Sequence, residues 1–326
     1  DALSERRKRW ITLLRSRKYQ PLIAEVLEQE LPKYANSTVV LPDSLGLASI
    51  TRECIHILAS APLVFAAAVD GTLAQRFLTD PELQRQYAVF QGRAHVQPSI
   101  YIHLLVDEEG VAPTAEQYML VRDTLLKYVN AGNEHEELAW AIDNITRPMT
   151  SRTEMATGHR KYLWTKKRSP KHLATLHRLS AGILHRYNST PPSLRNTPLT
   201  FPPAECGYSF NSHIRLAQHR NRQSSNYVMN LVEDICTYLF KTSQHFSMHQ
   251  YIIYLVFRPE QAALAEIFCS GLLQVWVDEG GGLNAYPAGR SVASAGRIGL
   301  KEWREHEKWV EGNTRLNEEL RGQRER

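Results

Sequence analysis

The sequence predicts an α/β chain of the α+β kind: a helical N-terminal region, then a domain with a small central sheet. Three observations lead there. Apolar residues recur at helical spacing through much of the first 150 residues. Two short runs, IYIHLLV (Ile100 to Val106) and YIIYLVF (Tyr251 to Phe257), are almost wholly β-branched, aromatic or Leu. Helical patterns flank the second run on both sides.

Taken in order, Ser4 can cap a helix through Trp10, Ile11, Leu13 and Leu14. A second helix starts at Pro21 and carries Leu22, Ile23, Val26, Leu27 and Leu31 on one stripe. Thr38 to Leu41 reads as a short extended piece, and Ser44 as the cap of a helix through Ile50, Ile55 and Leu58. Asp80-Pro81 opens a helix through Tyr87 and Phe90, because Pro is pre-set for the first helical turn. Ile100 to Val106, bounded by Pro98 and by Glu109-Gly110, is a strand. Pro113 to Asn130 and Glu134 to Ile145 are two further helices.

The stretch from Asn188 to Pro203, rich in Ser, Thr, Asn and Pro, reads as an extended loop or hinge. Beyond it, Ser209 or Asn211 can cap a helix through His219, and Ser225 to Phe240 forms another. Tyr251 to Phe257 is a buried strand, expected in the middle of the sheet. Pro259 opens a helix through Leu264, Ile267, Leu272, Leu273 and Trp276, which Gly280 to Gly282 end. The charged tail from Lys301 is helical. The expected divisions are a mainly helical domain over 1–150, a basic linker over 151–204, the sheet-containing domain over 205–300, and the tail over 301–326.

The 326 residues are 43% hydrophobic, enough for one large core or two smaller ones. No run of about 18 apolar residues is present, so no membrane span is expected. The four cysteines, Cys54, Cys206, Cys236 and Cys269, are scattered and form no CxxC pair, which argues against a disulfide framework or a cysteine zinc site and fits a reducing, intracellular setting. The N-terminal RRKRW run is readable as a nuclear targeting signal or a small basic patch.

Net charge is only +5, but its distribution is uneven. Between Met155 and Ala204 there is no Asp or Glu, while Lys166, Lys167, Arg168 and Lys171 cluster within six positions. Tyr162, Trp164 and Tyr187 are interleaved. Lys and Arg neutralise phosphates and aromatic faces stack on unpaired bases, so DNA or RNA is the expected partner; a solvated basic loop and helix is the plainer reading.

GYSFNSHIRLAQH, from Gly207 to His219, places Asn211, Arg215 and His219 four apart after a turn. On a helix they form one polar ridge starting at the N-terminus. With Glu266 in LAEIF and Asn284 in GGGLN, these residues resemble the GIY-YIG nuclease superfamily over about 182–290. Glu205-Cys206-Gly207 stands where the YIG tripeptide would, with Ser209, Asn211, Arg215 and His219 in the positions that follow it. Gly182-Ile183-Leu184 is the nearest string to the initial GIY and lacks its tyrosine; Tyr187 or Tyr208 could supply a phenol.

The resemblance implies a GIY-YIG-like domain and Mg²⁺-dependent endonuclease chemistry. Glu266 would hold the metal, Arg215 would meet the phosphate, His219 would contact phosphate or orient water, and a tyrosine, Tyr208 among the candidates, would act as base. Ser209, Asn211 and Asn284 would join Lys166, Lys167, Arg168 and Lys171 in contacting nucleic acid. Two other readings stay open: a non-catalytic nucleic-acid-binding or adaptor module on the same fold, and a protein-interaction scaffold.

Overall fold

The computed structural model describes residues 2–35, 46–130, 132–223, 226–290 and 292–325. The extended piece expected at Thr38 to Leu41, the Ser44 cap and Ser225 lie outside them.

Three antiparallel strands form the sheet: β1 (Ser99–Val106), β2 (Ala204–Ser209) and β3 (Ser247–Leu255), in the order β2-β1-β3. Helices before, between and after them make this an α+β fold with a helical N-terminal region. Every residue of β1 is buried, which accounts for a run with almost no polar alternation. The strand expected in the middle, Tyr251 to Phe257, instead contributes to β3 at an edge. The middle position belongs to β1, drawn from the first half of the chain. The central sheet therefore takes strands from both the 1–150 and the 205–300 stretches. A bulge on β3 opposite Ile100 and Tyr101 shifts its register by one residue.

Several helix starts follow the capping chemistry of the sequence. Asp80 accepts hydrogen bonds from the backbone of Glu82 and Leu83 ahead of Pro81–Arg93. Thr114 and Gln117 form a reciprocal capping box on Ala115–Val129. Asn211 caps Ser212–Arg220 by accepting from the Ile214 N–H. The helix after β3 runs Gln261–Leu273 and stops at Gln274, whose φ of 53° is left-handed. It ends before Trp276 and before the three glycines, because the chain turns there and Trp276 bridges back to Asn284.

One core cluster joins the N-terminal helices to β1, β3 and Gln261–Leu273; a second gathers Ala115–Val129, Pro170–Ser189 and Tyr227–Phe240 and reaches β1 through Leu105. The stretch expected as a basic linker thus carries a 20-residue helix, Pro170–Ser189, packed on Ala115–Val129. The loop expected after it is present from Thr190, with a short 3₁₀ turn at Pro192–Leu194.

The RRKRW run is bound into the fold. Arg7 is buried and donates to the carbonyls of Ala68, Val69 and Leu273, while Arg9 pairs with Glu25 at 2.6 Å. Among the described residues no single helix is long and apolar enough to cross a membrane; Leu47–Ser60 and Leu63–Asp70 reach that length only together and are bent by 104°.

Gly182 lies inside Pro170–Ser189, not at a strand, so Gly182-Ile183-Leu184 supplies no site residue. Its role is close packing, since an added Cβ would overlap the Val277 carbonyl oxygen. Backbone cannot yield there as a flexible side chain can. Gly182→Ala is expected to lower unfolding stability by about 2 kcal/mol. A urea melt that matches the wild type would show that the two segments can separate freely.

Candidate active site

The register of β1 against β2 sets the site. Tyr101 faces Gly207 and His103 faces Glu205, so these four share one side of the sheet. On the other side of β1, β3 places Gln250 opposite His103. Any residue but glycine at 207 would conflict with this arrangement: a Cβ would sit 2.5 Å from Tyr101 Cζ and closer still to its Oη. The phenol therefore lies over the bare backbone of the edge strand.

The helix Ser212–Arg220 covers this face. Ser212 Oγ is 2.6 Å from Ser99 Oγ, tying the start of the helix to β1. One turn on, Arg215 Nε donates to Tyr101 Oη at 3.4 Å. A further turn on, His219 Nε2 lies 3.3 Å from the same oxygen. Because Arg215 only donates, the phenol accepts from it, while the Tyr101–His219 bond can run in either direction according to the tautomer of His219. His219 Nδ1 is buried without a hydrogen-bond partner among the described residues. Burial, with Arg215 and His103 nearby, pulls His219 down to about 4, so its ring is neutral at ordinary pH.

Glu205 Oε2 accepts from His103 Nδ1 at 2.7 Å. The hydrogen positions follow from the neighbours. Arg220 donates to Gln250 Oε1 at 2.8 Å, which turns the amide nitrogen toward the Leu216 carbonyl and His103 Nε2, 3.2 and 3.0 Å away. His103 Nε2 is then the acceptor, and Nδ1 carries the hydrogen given to Glu205. Burial would push the Glu205 carboxyl up, but this hydrogen bond and the nearby cationic charge, Arg215 included, hold it below its ordinary value.

Glu266 arrives from the other side of β2, on Gln261–Leu273. It is 8% exposed, and its Oε2 accepts from the Gly289 N–H at 2.7 Å. Burial raises its carboxyl to about 7; the Gly289 N–H and Arg215 oppose the shift, and Glu205 reinforces it. Asn284 seals the outer edge of β2, accepting from the Cys206 N–H at 2.9 Å and donating to the Cys206 carbonyl at 2.8 Å.

Tyr101, Glu205, Tyr208, Arg215, Glu266 and Asn284 line one cleft of about 730 Å³, together with Lys171, His172, Tyr227 and Tyr286. Of the residues picked from sequence, Arg215, Glu266, Tyr208, Ser209, Asn284 and Lys171 meet there. His219 does not open onto it; it stands behind Tyr101 and faces a separate groove with His103. Asn211 is spent on the helix cap. Tyr208 is 4% exposed, with its phenol pushed up to about 12 by burial. Tyr187 lies away from the cleft, donating to Glu116 at 2.8 Å. The groups missed in the sequence are Tyr101, His103 and Gln250, together with the role of Glu205. Ser99-Ile100-Tyr101, at the start of a run already legible as a strand, was the available signal.

Many of the basic residues in 155–204 are structural. Arg160 donates to the Tyr128 and Asn130 carbonyls, Lys161 to those of Asp143 and Thr146, and Arg186 to that of Phe201. Arg168 reaches the Val129 carbonyl at 3.2 Å from the tight turn it closes with Trp164. Lys166 and Lys167 are exposed on that turn, whose neighbours Thr165 and Ser169 line the cleft. Lys171 lies over the Tyr286 ring at 4.3 Å.

Among the described residues no three His, Cys, Asp or Glu side chains gather as a metal cage. The cleft does offer a carboxylate at Glu266 among oxygen donors. That suits a hard divalent ion such as Mg²⁺, which keeps several waters and takes its remaining ligands from substrate. No family model, no curated protein and no solved structure matches this chain.

The raised carboxyl of Glu266 has a measurable effect on stability. Between its ordinary value of 4.5 and its folded value of about 7, the native state keeps a proton that the unfolded chain has lost. Its contribution to stability therefore falls as pH rises through that window and stays lost above it. Glu266→Gln, with nothing to titrate, should gain on the wild type by about 3 kcal/mol between pH 4.5 and about pH 8. Urea melts across that range read the difference, and a gap that does not change with pH would contradict a buried, protonated Glu266.

Proposed function

We propose that the cleft binds DNA or RNA and hydrolyses a phosphodiester bond with Mg²⁺ held at Glu266. The observation that carries this is the convergence of a phenol, a guanidinium and a buried carboxylate: Tyr101 Oη lies 3.4 Å from Arg215 Nε, in the cleft that Glu266 also lines. Ser99-Ile100-Tyr101 differs from the family's initial tripeptide only by Ser for Gly, and its Tyr101 pairs with Gly207, the last residue of Glu205-Cys206-Gly207, in the neighbouring strand. The GIY-YIG resemblance thus gains the tyrosine that the 182–184 string lacks.

In this reading Arg215 offers a planar fork to the phosphate and to the charge that develops on it. Burial works against the Arg215 charge, but Tyr101, Glu205 and Glu266 raise its pKa above the ordinary value, so it stays cationic. A metal ion at Glu266, when bound, would polarise the phosphate and lower the pKa of a bound water. Lys166, Lys167 and Lys171 at the rim would meet the backbone of the same strand. An intracellular setting, the nucleus included, belongs to this proposal. The replacement of the YIG tyrosine by Glu205 favours the second reading, a non-catalytic nucleic-acid-binding module, and the same experiments separate the two.

Cleavage of labelled single-stranded, duplex and branched DNA and RNA, with Mg²⁺, Mn²⁺ or chelator, is the test. Glu266→Gln should abolish metal-dependent nicking while keeping nucleic-acid affinity, and Arg215→Ala should lose part of both. Wild-type protein that binds these substrates and cuts none would support the non-catalytic module. Undiminished cutting by Glu266→Gln would put the metal elsewhere. Replacing Lys166, Lys167 and Lys171 together by Gln should reduce the slope of log affinity against log salt by about 3 on duplex DNA. Titrations that overlay the wild type at every salt concentration would remove this rim from the interface.

A further inference from the structure

The resemblance implies a tyrosine as the base that activates water, yet the hydrogen bonds around Tyr101 leave it poorly suited to that task. Its oxygen accepts from Arg215 and is also hydrogen-bonded to His219, behind the cleft. Burial, reinforced by the charge on Glu205, holds the phenol well above its ordinary pKa. A neutral phenol already engaged on both sides is a weak proton acceptor.

Glu205 has the opposite character. It lies beside Tyr101 on the same side of the sheet and lines the same cleft. Among the described residues His103 bonds Oε2, and Oε1 has no partner there and is left for a solvent molecule. The chain Arg220, Gln250, His103 fixes the carboxylate's orientation from behind. The charged and titratable groups around it are His103 and Tyr101 on β1, Arg215 and His219 on Ser212–Arg220, and Glu266 on Gln261–Leu273.

We propose that Glu205, standing at the position of the family's second tyrosine, is the general base of the cleft, with His103 and Gln250 as its positioning residues. This rests on the nuclease reading above. Glu205 Oε1 takes a proton from water as the water oxygen bonds to phosphorus. The phosphorus–oxygen bond to the leaving nucleoside breaks, and its electron pair stays on the leaving oxygen. Bulk water protonates that oxygen, and Glu205 returns its proton to solvent. The arrangement is a carboxylate oriented by a buried imidazole, and it needs no phenolate.

The test measures single-turnover cleavage at saturating Mg²⁺, from about pH 5 to 9, with affinity measured alongside in chelator. Glu205→Gln keeps an acceptor for His103 but loses the basic oxygen. It should cut about 10²- to 10⁴-fold more slowly, with affinity within about threefold of wild type. Tyr101→Phe should cost about tenfold or less and keep the wild-type pH profile. His103→Phe, which has no N–H to give, should move the acid limb of the profile to higher pH, because the hydrogen bond that holds the Glu205 carboxyl down is gone; a purely structural role would lower the rate without moving the limb.

Glu205→Gln that cuts as fast as an active wild type overturns this inference and leaves the nuclease reading standing. Wild type that cuts nothing overturns both. If Glu205→Gln fails to fold, Tyr101→Phe decides: retained cleavage supports Glu205, and abolished cleavage makes Tyr101 the base and ends the proposal.

Discussion

The packing of Tyr101 over Gly207 is the contact from which the rest of the cleft follows. It requires β1 and β2 to pair in one register, because a slip of one residue would turn Tyr101 and His103 to the other face of the sheet. It requires glycine at 207, because any side chain there would occupy the space of the phenol. Once the ring crosses the edge strand, its oxygen reaches Arg215 and His219 on the covering helix. The same pairing brings Glu205 against His103. An edge strand suits this geometry: groups from both its sides, Tyr101 from one and Glu266 from the other, can line a single cleft around it.

The electrostatics separate two carboxylates that sequence treats alike. Glu205 receives an imidazole N–H and nearby positive charge, which hold it ionised. Glu266 is buried on a mostly apolar helix, where its Oε2 accepts from the Gly289 N–H, and burial raises its carboxyl to about 7. Arg215 lies within the field of both and stays charged. The phenol between them is held neutral by burial and by the charge on Glu205, against the pull of the Arg215 guanidinium.

The basic stretch shows how charge counted along a chain differs from charge available on a surface. Arg160, Lys161 and Arg186 are anchored on backbone carbonyls, where their cations satisfy acceptors that burial would otherwise strand. Lys166, Lys167 and Lys171 are left to face solvent at the rim. The absence of acids from 155–204 is therefore partly a packing requirement: many of these side chains have carbonyls, not carboxylates, as partners.

Local rules in the sequence determined much of the fold. Asp80-Pro81, the Thr114–Gln117 box and the Asn211 cap mark helix starts through hydrogen bonds made within four residues, so each is readable where it stands. Both apolar runs are strands for equally local reasons, and the spacing of Arg215 within its helix, with Glu266 on another, marked two groups of the cleft. The tertiary structure alone decided which strand is central, that His219 stands behind a phenol, and that the phenol is Tyr101. Tyr101 and Gly207 are 106 positions apart, and only strand register brings them together. Glu205 next to Cys206-Gly207 reads along the chain as a lost tyrosine. Opposite His103 it is an oriented carboxylate, because a side chain's chemistry here depends on the partner that pairing places across from it.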